Sequence, residues 1–225
     1  MDSEEAHLLR MQRMQRAAAT AARVLGELWP EGRATEIEHD VHSMGFAVEM
    51  ECDGVRVRRI ADLRDSLLYD TISLGNLPPH ALPRGARLLE PGPETAPGTV
   101  AVDIPKARRW SRRPRPMYWT EDEIEALSRL LNEVAEAVLG VVESRCRVCG
   151  LDEDDERFVG GSPQYVICHC CESESGVDDS TREEVSRARR KWVEGGRQWR
   201  YPKARPADWD PDAALAALPP KWRDL

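Results

Sequence analysis

Six cysteines occur in the 225-residue chain, and four of them form two Cys-x2-Cys pairs. The first pair is Cys146 and Cys149, and the second is Cys168 and Cys171, with eighteen residues between the pairs. Two intervening residues let a tight turn direct both thiolates of a pair at one ion, and two such pairs complete a tetrahedral site. The spacing therefore predicts one structural Zn²⁺ ion per chain, bound by these four cysteines.

The second pair leaves other sets of ligands open. Residues 168–171 read Cys-His-Cys-Cys, so that Cys170 could replace Cys171 and His169 could supply a nitrogen ligand. The spacing favours Cys168 with Cys171, because Cys170 would leave only one residue between the ligands. Two interpretations without a metal are reduced cysteines that only fill a core and a redox pair, although no βαβ pattern supports the redox pair.

A site closed by four thiolates has no open position for water, which favours a structural metal over a catalytic one. Such a site carries a formal charge of −2, and Arg145 or Arg147 is expected to offset part of it, while the acidic run 152–156 loops into solvent. No P-loop, dinucleotide fingerprint, nucleophile elbow or zinc-protease helix occurs, so the chain is predicted not to be an enzyme. His39 and His42 could be neighbours on a helix, but a solvated face is the preferred interpretation.

The region 146–200, about a quarter of the chain, resembles the bacterial cysteine-rich CPCC family of small zinc-ribbon-like domains. The family usually has proline where His169 stands and an aromatic residue where Ser175 stands. The resemblance implies a metal site and a part in bacterial conflict systems such as toxin immunity. Besides the two cysteine pairs and Gly150, it rests on Ile167, Glu174, Asp178, Asp179, Trp192, Gly195 and Trp199.

The bulk composition limits the classes of partner. No apolar run approaches the ~20 residues of a membrane span, and the acidic start lacks a secretory core, so a cytoplasmic protein without membrane contact is expected. The net charge of −8 argues against bulk attraction to nucleic acid. A non-catalytic zinc-binding protein that acts on a protein partner, such as a toxin that it neutralises, is therefore the preferred hypothesis.

Two basic, aromatic stretches support an alternative partner. Residues 106–119 and 187–205 interleave Arg and Lys with Trp and Tyr, a combination that can grip phosphates and stack bases. A nucleic-acid-binding or transcription-associated protein is thus the alternative hypothesis. The opposing interpretation is that these cations pair with the chain's own carboxylates, and that Trp192 and Trp199 cover the small metal domain.

The N-terminal part contains a strong hairpin signal in residues 46–60. Asp53-Gly54 is typical of a two-residue turn, and one register places Val48, Met50, Cys52 and Val57 on a buried face. The same register places Glu51 opposite Arg56, and Glu49 opposite Arg58, on an exposed face. Cys52 is accordingly interpreted as a small hydrophobic residue and not as a fifth ligand.

Helices are predicted on either side of this hairpin. Residues 4–29 carry apolar residues at alternating steps of three and four, which predicts an amphipathic helix packed on its own domain, with a coiled-coil dimer as the alternative. Further helices are predicted at Glu36–Met44, within 62–74, at Thr120–Val142, from Ser180 to about Glu194, and from Asp210. Strands are predicted at Thr99–Ile104 and at 164–167, and 75–98 as a loop-rich crossing.

Together these patterns predict an α+β fold in two domains. Residues 1–143 form N-terminal helices with a β-hairpin or small antiparallel sheet. Residues 144–225 form a zinc-ribbon-like module with a helical C-terminal tail.

Overall fold

The structure is a computed structural model that divides into two compact units, Met1–Leu139 and Gly140–Leu225. The division falls four residues before the predicted boundary at 143. The residues that the structure describes are 3–28, 34–40, 45–52, 54–62, 67–93, 95–103 and 120–225.

The N-terminal unit combines two helices with a six-stranded antiparallel sheet. Helix α1 spans Ser3–Leu25 and α2 spans Glu121–Leu139. The sheet order is β1-β2-β3-β4-β6-β5, so that the first four strands form a meander and β6 returns beside β4. The strands are β1 Thr35–Asp40, β2 Gly45–Cys52, β3 Val55–Asp62, β4 Leu67–Ser73, β5 Ala86–Leu88 and β6 Thr99–Asp103.

The predicted hairpin is confirmed as β2 and β3, in the predicted register. Met50 pairs with Val57 and both are buried, whereas Glu51 faces Arg56 at 3.2 Å and both are exposed. Glu49 and Arg58 also face each other but are only half exposed, and Cys52 is half-buried instead of fully buried. The alternation of apolar and charged residues thus set which face of the sheet meets the core.

The helix predicted at Glu36–Met44 is wrong. Thr35–Asp40 forms the edge strand β1, which pairs antiparallel with β2, and 41–44 lie outside the described residues. A capping-box pattern is a weak local preference, and the open edge of β2 offers the backbone a complete row of hydrogen-bond partners. His39 therefore lies in a strand, whereas His42 is outside the described residues.

The short helix predicted within 62–74 is also wrong. Leu67–Ser73 is strand β4, held between β3 and β6. Leu68, Asp70 and Ile72 are buried at alternate positions, which is the period of a strand. The strand predicted at Thr99–Ile104 is observed as Thr99–Asp103.

Both helices contribute to one core with the sheet. The apolar face of α1 is buried within its own unit, as expected of an amphipathic helix. Helix α2 begins with a reciprocal cap, in which the Thr120 amide donates to Glu123 Oε2 and the Glu123 amide donates to Thr120 Oγ1. The buried residues of α1 are Met14, Ala17, Ala18, Ala21, Val24 and Leu25.

A buried ionic network ties the helices to the sheet. The Arg59 guanidinium donates Nε and Nη2 to the two carboxylate oxygens of Asp70, each at 2.8 Å, and both side chains are 0% exposed. Arg59 Nη2 also donates to Asn132 Oδ1 on α2 at 2.9 Å, and Asn132 Nδ2 donates to the Val24 carbonyl on α1 at 2.6 Å. The network therefore connects β3, β4, α2 and α1.

The C-terminal unit has short strands and three helices. Strands β7 Val142–Glu143, β8 Phe158–Val159 and β9 Ser162–Pro163 form a small antiparallel sheet. Of the strand predicted at 164–167, only Ile167 takes part in pairing, in an isolated bridge to Glu174. The helices are α3 Arg182–Glu194, α4 Pro211–Ala216 and α5 Pro220–Arg223.

The cap of α3 is Thr181 and not the predicted Ser180. The Glu184 amide donates to Thr181 Oγ1, and the Thr181 amide donates to Glu184 Oε2, so that the capping box is one residue further along. Asp210 caps α4 by accepting from the amides of Asp212 and Ala213. Among the residues described, no helix combines the length and the apolar character that crossing a membrane requires.

Candidate metal centre

The first cysteine pair lies in a tight turn that directly follows β7. The Cys146 amide donates to the Leu151 carbonyl at 2.8 Å, and the Gly150 amide donates back to the Cys146 carbonyl at 2.8 Å. An antiparallel bridge between Arg145 and Asp152 closes the base of the turn. The turn points both cysteine side chains into the interior, where each is 0% exposed.

The second pair lies in a turn with the same hydrogen bonds. The Cys168 amide donates to the Ser173 carbonyl at 3.0 Å, and the Glu172 amide donates to the Cys168 carbonyl at 3.0 Å. A bridge between Ile167 and Glu174 closes its base at the equivalent position. The two turns, called here the first and second knuckle, thus repeat one backbone arrangement.

Both knuckles require a left-handed residue immediately after their second cysteine. Gly150 has φ 78° and Glu172 has φ 64°. A glycine adopts a positive φ readily, whereas no signal in the sequence marks the positive φ of Glu172. A Cβ on Gly150 would lie 2.5 Å from the Ala214 carbonyl carbon, whereas Glu172 is exposed. The backbone of α4 therefore restricts the first knuckle to glycine.

The knuckles bring the four predicted thiols together. The Sγ atoms of Cys146, Cys149, Cys168 and Cys171 all lie within 4.8 Å of one another, and they could hold a metal ion. The Cys146–Cys171 and Cys149–Cys168 sulfur distances are 3.5 and 3.6 Å. A regular tetrahedron with Zn–S bonds of ~2.3 Å has sulfur atoms about 3.8 Å apart, so the cluster fits such an ion.

The two neighbouring candidates lie outside this group. Cys170 is fully buried, but the four mutually close thiols do not include it. The His169 ring is about half exposed and its Nδ1 is hydrogen-bonded to the carboxylate of Glu153. The edge of the same ring contacts Tyr201, with the centroids 5.3 Å apart.

The thiols strongly perturb one another. Burial raises the pKa of Cys146, but hydrogen bonds from the thiols of Cys149, Cys168 and Cys171 outweigh it and hold this pKa well below the usual range. The same interaction with Cys146 raises the pKa of Cys149 and of Cys171. Four thiolates at these distances need a positive ion among them.

A buried hydroxyl extends the contacts of the sulfur atoms. Ser173 Oγ lies 3.2 Å from Cys146 Sγ and 3.1 Å from Cys171 Sγ, and the residue is 4% exposed. The hydroxyl can donate to one of these sulfur atoms when that atom is a thiolate. Sequence reasoning missed Ser173, since a serine two residues after a cysteine has no distinguishing signal.

The arginines expected to offset the site charge have other partners. Arg147 forms a double hydrogen bond with Glu143, at 2.9 Å for each contact, and its guanidinium lies 3.3 Å from the centre of the Phe158 ring. Arg145 pairs with Asp152 at 3.2 Å. Glu143 lies four residues before Arg147 in the sequence.

Two other arginines approach the cysteines instead. Arg157 is 1% exposed, and its charge interacts with Cys146, Cys168 and Cys171. Arg189, on α3, interacts with Cys146 and Cys149, although burial is the main effect and lowers its pKa. Neither belongs to a cysteine motif, so that only the folded chain identifies them.

The acidic run expected to loop into solvent does so in part. Asp154, Asp155 and Glu156 are exposed. Asp152 pairs with Arg145, however, and Glu153 accepts hydrogen bonds from His169, so that the start of the run is attached to both knuckles.

The C-terminal helices cover the cysteine cluster. Trp192 and Trp199 are buried in the same cluster as the cysteines, as predicted, and Trp209 meets Trp199 edge to face at 5.4 Å. Arg200 pairs with Glu172 at 2.9 Å, and Arg197 pairs with Asp212 at 2.8 Å. Part of the basic stretch 187–205 is thus engaged within its own unit, while 106–119 lies outside the described residues.

Comparisons of the chain with protein-family models, with curated proteins and with solved structures gave no significant match. The resemblance of residues 146–200 to the CPCC family therefore stays a prediction.

Proposed function

We propose that the four clustered cysteines bind one structural Zn²⁺ ion, and that the C-terminal unit so stabilised presents a surface to a protein partner. The observation that carries the proposal is the convergence of four thiols from two equivalent knuckles within 4.8 Å. Three of the four are fully buried, and a tetrathiolate site has no position for substrate. The proposed function is therefore binding and not catalysis.

Metal analysis of the purified protein tests the first part. The expected zinc content is one ion per chain, and Cys149→Ser or Cys168→Ser should lose it, because three thiolates hold the ion less tightly than four. Cys170→Ser is the matched control, since this thiol is equally buried but lies outside the group, and it should keep the ion. Full zinc in Cys168→Ser, or loss in Cys170→Ser, would contradict the ligand assignment.

An exposed apolar patch next to the second knuckle supports the second part. The patch consists of Tyr165, Ile167 and Val177, which are 63%, 50% and 56% exposed. Hydrogen bonds between Val166 and Ser175 hold the segment 165–167 beside the segment 175–177. Tyr165 has φ 58°, a conformation that costs energy in a non-glycine residue and recurs at functional sites.

The charges beside the patch define the partner that would fit it. The carboxylates of Glu174 and Asp178 are within a few residues of the patch in sequence. The proposed partner is thus a protein with an apolar contact surrounded by basic groups, because opposite charges favour encounter and suppress wrong partners. The resemblance to the CPCC family extends the proposal to a toxin that the protein neutralises.

The class of partner can be tested without knowing the partner. The protein should show no salt-sensitive retention on heparin and no binding to single-stranded DNA or RNA at physiological salt, since a nucleic-acid site would depend strongly on salt. Micromolar binding that weakens as salt rises would favour the nucleic-acid alternative. Should the gene lie beside a toxin gene, Tyr165→Asp should abolish protection from that toxin and retain zinc.

A further inference from the structure

Arg157 is a buried cation with part of its hydrogen-bonding capacity unused. Its Nη2 donates to the carbonyls of Val166 and Ser173, each at 3.1 Å. Nε and Nη1 are buried and have no hydrogen-bond partner in the structure. A charged guanidinium in this position is costly unless an anion compensates it.

The thiolates of the cysteine cluster can supply such an anion. Three cysteines, Cys146, Cys168 and Cys171, interact with the Arg157 charge, and so does the buried carboxylate of Asp179. One of the two carbonyls that Arg157 binds belongs to Ser173. The hydroxyl of the same serine lies within 3.2 Å of two of the sulfur atoms. Arg157 is thus linked to the sulfur atoms through its charge and, indirectly, through Ser173.

A second arginine, Arg189, binds carbonyls of the first knuckle. Its Nε donates to the Val148 carbonyl at 3.0 Å and its Nη2 to the Arg147 carbonyl at 2.6 Å, the two residues between Cys146 and Cys149. Arg189 thus binds carbonyls between the first pair of cysteines, whereas Arg157 binds carbonyls on either side of the second pair. Two arginines match the formal charge of −2 that four thiolates and a divalent ion carry together.

We infer that Arg157 is a positioning residue of the metal centre, whose buried charge compensates the sulfur ligands and lowers their electron donation to the ion. The inference rests on the proposed metal-binding function and deepens it. Compensated thiolates are weaker nucleophiles, and the pair of arginines suits a divalent ion better than a trivalent one. Such a centre would retain its ion, and its thiolates would react slowly with other molecules.

Two other roles for Arg157 must be separated from this one. Arg157 could serve only to hold the carbonyls of Val166 and Ser173 together, or it could serve only as the partner of Asp179. Neither role would change the electron donation of the sulfur ligands. The charge-transfer absorption of the Co²⁺-substituted protein reports that donation directly, because its energy falls as the thiolates become better donors.

The test compares Arg157→Met and Arg157→Lys with the wild type, and uses Arg187→Met as a control for the loss of an exposed arginine on α3. Zinc affinity is measured by competition with a chelator, and folding is checked by circular dichroism at saturating metal. Arg157→Met should bind zinc about 10- to 100-fold more weakly, as is typical for partners of metal ligands, and its cobalt charge-transfer band should move to lower energy. Arg157→Lys should recover part of both changes, and Arg187→Met should match the wild type.

Each outcome decides between the roles. Unchanged affinity and an unshifted band in Arg157→Met would overturn the inference, and so would weakened binding with an unshifted band in both Arg157 variants, which would indicate a purely structural role. If Arg157→Met does not fold with saturating metal, the charge-transfer band of Arg157→Lys decides. A band at lower energy than in the wild type supports the inference, and an unshifted band overturns it. Absence of metal binding by the wild type would overturn the proposed function instead.

Discussion

Replacing Gly150 by alanine tests whether α4 confines the first knuckle. The new Cβ would lie 2.5 Å from the Ala214 carbonyl carbon and 3.0 Å from the Leu215 nitrogen, so the backbone of α4 must move. Forcing atoms into a packed region costs about 1–3 kcal/mol, and φ 78° costs a non-glycine residue about 1–2 kcal/mol. The free energy of unfolding of the C-terminal unit should fall by about 2–5 kcal/mol.

The matched control is Gly196→Ala. Gly196 has φ 79°, nearly the same as Gly150, but a Cβ there meets nothing within 4 Å. It should therefore lose only the conformational part, about 1–2 kcal/mol. Urea unfolding in excess zinc, followed by tryptophan fluorescence, measures both variants, since the C-terminal unit contains Trp192, Trp199, Trp209 and Trp222. Equal destabilisation of the two variants would refute the close approach of α4.

Two further predictions concern buried charges. Asp70→Asn should destabilise the N-terminal unit by about 3–5 kcal/mol in urea unfolding, because it leaves the Arg59 charge buried and uncompensated. The control is Asp103→Asn, which removes an exposed ion pair and should cost under about 1 kcal/mol. Burial raises the pKa of Glu143, but the charges of Lys221 and Arg147 outweigh burial. They lower this pKa to about 2, compared with an ordinary value of 4.5. The stabilisation from this lowered pKa is complete above pH 4.5 and is lost as the pH falls toward 2, so Glu143→Gln should cost roughly 3 kcal/mol equally at pH 5.5 and 7.5. A cost that changes between these two pH values would contradict the assignment.

The parts of the fold that could be predicted from sequence depend on neighbouring residues. The turn at Gly54 fixed the register of β2 and β3, the capping box at Thr120 fixed the start of α2, and the cysteine spacing identified the thiols that converge. In each case the deciding interactions span only a few positions, or follow a spacing that suits one metal ion. Local chemistry is then sufficient.

The errors arose where the pairing of segments in the fold outweighs the local sequence signal. Residues 35–40 carry a capping-box pattern, yet they pair with β2, and Leu67–Ser73 becomes a strand because β3 and β6 lie on either side. Arg157 and Ser173 could not be identified for the same reason. Their importance depends on the fold bringing them to the cysteines, and no spacing in the sequence records that proximity.

The unequal backbone of the two knuckles has a consequence for the kinetics of the metal centre. The first knuckle lies against the backbone of α4 at Gly150, and both of its cysteines are fully buried. At the second knuckle Glu172 is exposed, and of the four thiols Cys171 alone is partly accessible. Entry and departure of the ion would then begin at Cys171, while the first knuckle keeps its shape as the half-site to which the ion returns.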